Sequence, residues 1–437
     1  MDERDGQRVG KVAAMSAKGT VVYLSSCAVD GKGTPDTFML QELPWLQKRF
    51  KNVWMVSYYG VAELTAYHVS RMEPIIVRDT GRAAWRARLR ACFVPEVWWE
   101  LVRVAKDGKL SPRNLIKLFL FAVRGQKLHL WLEDLLRKPP GENITLYAYW
   151  MSYEAYAAAL SKRKHKNLRL LVRGHAFEID EQRNAMNPYL MKQTIFEMAD
   201  RLFLISEYAK QQYLRYMKIG ADNEKLRVLG VGSRGEKTGA DHAPPLFSEG
   251  CLKLVSCATI SEIKQLPVLV DALSCYQGVP LRWLHLGGGP EEAAVRAYAA
   301  EKLAESPAVS FEISGRIENE TVQETYAKQG FDLFVNTSRM EGVPVSMMEA
   351  MRFGIPIIAP RVGGIPELVD DAVGILYEAD HGAQGVLEAI ERFAALTEEK
   401  VLSMRAAAKA RWENDCRSEA LLPLLFETAD ENKQEVK

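Results

Sequence analysis

Residues 336–369 read NTSRMEGVPVSMMEAMRFGIPIIAPRVGGIPELV. Two carboxylates in this stretch, Glu341 and Glu349, stand eight residues apart. Upstream, Phe331–Val335 is a short apolar run with strand character. Downstream, Ile355–Ala359 is another, ahead of the pair Gly363–Gly364. Between them Gly342-Val343-Pro344-Val345-Ser346 is turn-prone, and Met347, Met348, Met351 and Phe353 follow a helical pattern. The order strand, loop, helix, strand puts Glu341 in the loop and Glu349 in the first helical turns. In a parallel sheet flanked by helices, such a loop lies at the carboxyl end of a strand, where ligands bind. A helix N-terminus presents N–H groups and about half a positive charge, which suits a phosphate. A carboxylate ahead of that helix can accept hydrogen bonds from sugar hydroxyls, and one in its first turns can hold a ribose. Two plainer readings compete. Ser346 and Glu349 fit a capping box, in which Glu349 only caps its own helix. Glu341, taken alone, is a solvated loop charge.

The pattern continues on both sides. Strands are expected at 252–257, 281–286, 308–313, 331–335, 355–359 and 374–377, each followed by a helix or turn, as in a doubly wound parallel sheet. Helices at Glu398–Trp412 and Ser418–Thr428 close the chain. The first half opens with a strand at Thr20–Ser25, a loop with Gly31 and Gly33, a helical pattern from Phe38 to Phe50 and a strand at Val53–Ser57. Alternation returns with strands at Ile144–Tyr149, Leu168–Val172, Leu202–Ile205 and Leu226–Val231. Helices separate them, including Met191–Ala199 and Glu207–Met217. Gly232–Gly250 is rich in Gly, Pro and charge and reads as a linker. The expected layout is a tail over 1–19, a first domain over 20–231, a linker over 232–250, a second domain over 251–412 and a helical segment over 413–437.

Composition bounds the class. At 437 residues the chain is long for one core, and about 150 residues per domain suggests two or three. Apolar residues make up 48% and charged ones 26%, as in a soluble globular protein. A net charge of +1 argues against a general nucleic-acid binder. The six cysteines contain no Cys-x-x-Cys pair, which suggests reduced thiols in a cytoplasmic chain. No apolar run is long enough to span a membrane. Met1–Lys18 is polar, without a hydrophobic signal core, and reads as a loose tail. One segment, about 82–138, stands apart as a helical insert in the first domain. It holds 13 Lys and Arg against 5 Asp and Glu, a net +8, together with Trp85, Trp98, Trp99 and Trp131. A solvated basic face explains it simply. An anionic membrane surface at the inner face of the membrane is the functional reading.

The stretch Glu341–Val369 closely resembles the E-x7-E signature of the family-4 retaining glycosyltransferases. The match includes the first glutamate with the Gly-x-Pro after it, the Glu-Ala-Met, and the Gly-Gly-x-x-Glu turn. The resemblance implies the α/β GT-B fold, two Rossmann-like domains facing across a cleft, the second binding a nucleotide-sugar donor and the first a glycan or lipid-linked acceptor. Glu341 would then contact the sugar hydroxyls and the developing positive charge, and Glu349 the ribose. Lys264 matches the family's phosphate-gripping lysine, and backbone N–H groups from Gly342 through Val343 and Pro344 to Val345 would share the diphosphate. Thr259 stands where the family has an arginine, a departure that a hydroxyl does not repair; Arg361 is a candidate substitute. Gly287-Gly288-Gly289-Pro290 resembles the family's turn after the second strand, and Arg316-Ile317 the segment along the nucleobase. His175, in Arg173-Gly174-His175, resembles the histidine near the donor sugar. Arg173, Gly31 and Gly33 would lie on the acceptor side.

No Asp-x-Asp occurs, so metal-independent transfer is expected, without a cofactor beyond the nucleotide-sugar co-substrate. The mid-chain resemblance looks closest to bacterial exopolysaccharide or lipid-linked oligosaccharide enzymes, and implies that kind of synthesis. Two rivals are a GT-B nucleotide-sugar epimerase and a catalytically inactive nucleotide-sugar-binding protein.

Overall fold

The computed structural model describes residues 19–25, 37–57, 72–76, 81–137, 143–179, 190–220, 223–235 and 250–426. The loop with Gly31 and Gly33, the tail over 1–18, most of the linker and the stretch 427–437 lie outside them.

The chain divides into two compact units, one of residues 1–173 and 189–202, the other of 174–188 and 203–437. The first sheet contains seven strands: β1 (Thr20–Ser25), β2 (Asn52–Ser57), β3 (Met72–Ile76), β4 (Ile144–Ala148), β5 (Arg169–Gly174), β6 (Arg201–Leu204) and β7 (Leu226–Val228). Their order is β3-β2-β1-β4-β5-β6-β7. The intervening helices are α1 (Thr37–Arg49), α2 (Gly81–Phe93), α3 (Pro95–Lys106), α4 (Pro112–Arg137), α5 (Tyr153–Lys164), α6 (Ala176–Ile179), α7 (Lys192–Met198) and α8 (Glu207–Met217). The sequence pattern assigns no strand at β3. Pro74 interrupts that five-residue run, and a residue without an N–H is tolerated on the edge strand that β3 forms.

The second sheet holds six strands: β8 (Leu252–Cys257), β9 (Leu281–Leu286), β10 (Val309–Ile313), β11 (Leu333–Val335), β12 (Ile357–Pro360) and β13 (Gly374–Tyr377). Its helices are α9 (Leu266–Ser274), α10 (Glu292–Leu303), α11 (Asn319–Gln329), α12 (Val345–Arg352), α13 (Ile365–Leu368), α14 (Gly382–Ala394), α15 (Glu398–Arg411) and α16 (Ser418–Phe426). The order is β10-β9-β8-β11-β12-β13, and its neighbouring strands all pair in parallel. Leu254, Leu333, Val335 and Ile358 pack on one face; Val255, Phe334, Ile357 and Ala359 pack on the other. Burial on both faces is why these strands read as unbroken apolar runs. Strand order reverses between β8 and β11, so the loops after these two strands face one crevice.

Polar groups fix that core. Asp332 is fully buried; it accepts from the Lys253 backbone N–H at 3.0 Å and pairs with Arg405 at 3.0 Å. Its charge is compensated on both oxygens, as burial demands. At the other end of β8, Trp283 Nε1–H donates to Ser256 Oγ at 2.9 Å, and Ser256 lies 2.8 Å from His285 Nδ1. His285 Nε2 is 3.2 Å from the Ala258 carbonyl, so Nε2 carries the proton and Nδ1 accepts. Burial pulls the imidazole down to about 4. A depressed histidine contributes stability above its ordinary value of 6.5 that is lost as pH falls through the folded value. The melting temperature is therefore expected to drop between pH 6.5 and about 4, and less steeply in His285→Gln, as read by calorimetry across that range.

Candidate functional site

The reversal between β8 and β11 brings Lys264 and Glu341 together. Lys264 ends the short turn Glu262–Lys264 that follows β8. Glu341 lies in the loop between β11 and α12. Lys264 Nζ donates to Glu341 Oε1, and Ser338 Oγ donates to the same oxygen at 2.7 Å. Two further bonds fasten the loops: Thr337 Oγ1 to the Lys264 carbonyl at 2.9 Å, and the Arg339 N–H to the Ile263 carbonyl at 2.9 Å. The Glu341 side chain is 6% exposed. It is therefore not the solvated loop charge that the sequence alone allows. A carboxylate removed from water needs this compensation.

Glycines let other backbone reach the Glu341 loop. Gly363 has φ of +54°, and a Cβ there would lie 1.8 Å from the Glu341 carbonyl oxygen. The Gly364 N–H donates to the Gly342 carbonyl at 2.9 Å. A Cβ on Gly342 would meet Ala176 Cβ and Ile205 Cδ1, each at 2.8 Å, in the same unit. Gly342 thus packs beside the start of α6, which His175 precedes. His175 is buried; its backbone N–H donates to Glu178 Oε2 at 2.8 Å, with Nδ1 3.5 Å from that oxygen. Glu367, at the end of the Gly-Gly-x-x-Glu turn, accepts from the Glu207 and Tyr208 backbone N–H groups at 2.7 Å each. It supplies negative charge to the first turn of α8, where Ser206 already caps Ala209.

The capping box does not form. α12 begins at Val345 with Pro344 at its N-cap, so Ser346 lies inside the helix. Glu349 instead accepts from Asn319 Nδ2 at 2.8 Å. Pro344 also corrects the phosphate-donor set, because proline has no N–H. The donors in that turn reduce to Gly342, Val343 and Val345, with Ser346 following. Burial pushes the Glu349 carboxyl above its ordinary range, while Asn319 and Arg352 pull it back. A raised carboxylate loses stability as pH climbs past its unfolded value of 4.5. Glu349→Gln keeps the Asn319 bond and removes the buried charge. Its melting temperature at neutral pH is expected to equal or exceed that of the parent, while the donor KM rises; thermal melts and initial rates check both.

The remaining residues divide. Gly287 has φ of +135°, and a Cβ there would lie 2.1 Å from the Ala258 carbonyl oxygen. The Ile260 N–H donates to the Gly288 carbonyl at 3.0 Å, so the glycine turn holds the loop carrying Thr259. Thr259 and Arg316 are exposed at the ends of β8 and β10, and Ile317 packs on the Val255 side of the core. Arg361, the candidate substitute for the missing arginine, pairs through Nε with exposed Glu378 at 3.0 Å, and its backbone N–H donates to the Tyr377 carbonyl at 2.8 Å. Arg173 is not presented to an acceptor. It is 1% exposed, paired with Glu42 and 5.8 Å over the Tyr149 ring. Burial holds the Glu42 carboxyl above its ordinary range even beside that guanidinium. Among the described residues no group of three His, Cys, Asp or Glu side chains is placed to hold a metal ion. Asn319 was not legible as a site-shaping residue, since it acts through a side-chain contact to Glu349, 30 residues away in sequence.

Residues 252–395 match the model of the family described as Glycosyl transferases group 1. The matched span covers the second sheet and none of the first. It contains Lys264, Glu341 and Glu349 and runs from β8 to just past α14. The putative colanic acid biosynthesis glycosyltransferase WcaL of Escherichia coli is 28% identical over 257 residues, which are 56% of this chain. The chain thus spans 60% of that relative's length. A glycosyltransferase from Rickettsia africae superposes with a TM-score of 0.62 at 14% identity, covering 93% of this chain and 96% of that one. HepE of Anabaena in complex with UDP-glucose superposes at 0.61 with 15% identity, over 94% and 99%. These likenesses establish the GT-B fold class of the two Rossmann-like sheets.

Proposed function

We propose that this protein transfers a sugar, with retention, from a UDP-sugar to an acceptor hydroxyl on a polysaccharide or lipid-linked glycan precursor. The observation that carries the reading is the pairing of Lys264 with the buried Glu341 at the strand-order reversal of the span that matches the glycosyl transferases group 1 model. A crystallised neighbour of the same fold holds UDP-glucose, and a relative is named for colanic acid biosynthesis.

The chemistry follows from the charges. The diphosphate of the donor draws Lys264 toward it, and the turn donors ahead of α12 add the helix's positive end. Glu341 is then released from its lysine toward the sugar hydroxyls. As the bond to the diphosphate breaks, positive charge grows on the sugar and negative charge on the leaving group. Glu341 stabilises the first; Lys264 and the N–H groups stabilise the second. Glu349, held by Asn319, accepts from the ribose. His175, beside Gly342, borders the reacting sugar.

The reading is tested by supplying UDP-sugar and a lipid-linked or polysaccharide acceptor in excess EDTA and recording the product's anomeric proton by NMR. The donor's own anomeric configuration is expected, at a rate that EDTA leaves unchanged. An inverted product removes retention, and a rate abolished by EDTA and restored by Mg²⁺ removes the assignment of the diphosphate to Lys264 and the α12 turn.

A further inference from the structure

The helices α2, α3 and the first half of α4 carry an outward face of unusual composition. On α2, Trp85, Leu89 and Phe93 are exposed at spacings of four residues, one stripe of a helix. On α3, Trp98, Trp99 and Val102 are exposed; on α4, Ile116 and Leu120 are. Trp98 Nε1–H donates to the Cys92 carbonyl at 3.0 Å, which ties the start of α3 to the end of α2. Phe93 is 81% exposed and Trp99 67%. Exposed apolar groups concentrated this way mark a surface that meets something.

The charges say what. α3 is inverted relative to an ordinary surface helix: its carboxylates, Glu96 and Glu100, are buried while its tryptophans face out. Glu96 pairs with Arg163 of α5, and Glu100 with Arg103. The acids of this region are thereby neutralised, and α2 contains none. Bases remain outside: Arg86, Arg88, Arg90, Lys106 and Arg113 are exposed. The only exposed carboxylate described between residues 85 and 120 is Asp107, paired with Arg103. A protein partner complementary to such a face needs both acids and an apolar groove. A bilayer with anionic headgroups offers negative charge at the surface and apolar depth beneath it, where tryptophan sits. No described helix is long and apolar enough to cross a membrane, so this is attachment at the surface.

We propose that the face formed by Trp85, Leu89, Phe93, Trp98 and Trp99 with Arg86, Arg88 and Arg90 docks on an anionic lipid bilayer. The aromatics enter the interface and the arginines pair with lipid phosphates. The test reads binding alone, so it stands or falls separately from sugar transfer.

The full chain is sedimented with vesicles of phosphatidylcholine containing about one-third phosphatidylglycerol, and with vesicles of phosphatidylcholine alone, at about 50 mM and about 500 mM salt. Expected is at least tenfold stronger binding to the anionic vesicles at low salt, falling steeply at high salt. Arg88→Glu is expected to weaken it by about fivefold or more. Trp99→Ser is expected to weaken binding to anionic vesicles at both salts. Both sites are exposed, and unchanged melting temperatures show that the variants are folded. Equal binding to neutral and anionic vesicles overturns the proposal. So does a dimer in lipid-free solution that Trp99→Ser converts to monomer while vesicle binding persists, since a second copy then covers the face.

Discussion

Glu341→Gln is expected to lower kcat and kcat/KM together, on the order of 10²-fold or more, with donor KM little changed. Glutamine has the same shape. Its amide oxygen still accepts from Ser338 Oγ and from Lys264, so the contacts that set the loop survive. What disappears is the negative charge facing the sugar, and that charge matters most when positive charge develops on the sugar in the transition state. A melting temperature close to the parent's separates this loss from misfolding. If Glu341 serves only to neutralise Lys264, the variant instead turns over like the parent.

Lys264→Met is expected to reduce kcat/KM by about 10²–10³-fold, because a preorganised charge on the departing diphosphate is lost. It also leaves the Glu341 carboxylate buried without its cation, at a cost of about 1–3 kcal/mol in stability. The double variant Lys264→Met, Glu341→Gln removes the orphaned charge. It is expected to regain most of the melting temperature and none of the activity. Recovery of both would make the pair structural, and kinetics with calorimetry on the three variants decides between the outcomes.

Much of this was written locally. The second sheet was legible because its strands are buried on both faces and read as continuous apolar runs, as in Leu252–Cys257 and Leu281–Leu286. Strand ends shifted where side chains compete. The expected strand at 331–335 begins only at Leu333, since Asp332 is drawn to Lys253 and Arg405. The sequence placed Glu341 in a loop but could not show its burial, which depends on Lys264, 77 residues earlier. The Ser346–Glu349 pair shows the converse error. Its spacing fits a cap, yet Pro344 sets the helix start one residue ahead of Ser346, and Asn319 from another helix takes the carboxylate. Arg173 stands two residues before His175 in a suggestive run, but in β5 it turns into the interior toward Glu42, 131 residues away in sequence. Contacts of that range leave no trace in local pattern.

The central claim is that a donor bound at Lys264 and Glu341 loses its sugar to an acceptor. The most direct measurement follows nucleoside diphosphate release and acceptor glycosylation in one reaction, with UDP-sugars and membrane-extracted lipid-linked glycans. UDP is predicted to appear in step with glycosylated acceptor, and both to slow together by about 10²–10³-fold in Lys264→Met. An isomerised nucleotide-sugar formed without acceptor would contradict the account, as would donor binding that raises the melting temperature with no UDP released from any donor and acceptor.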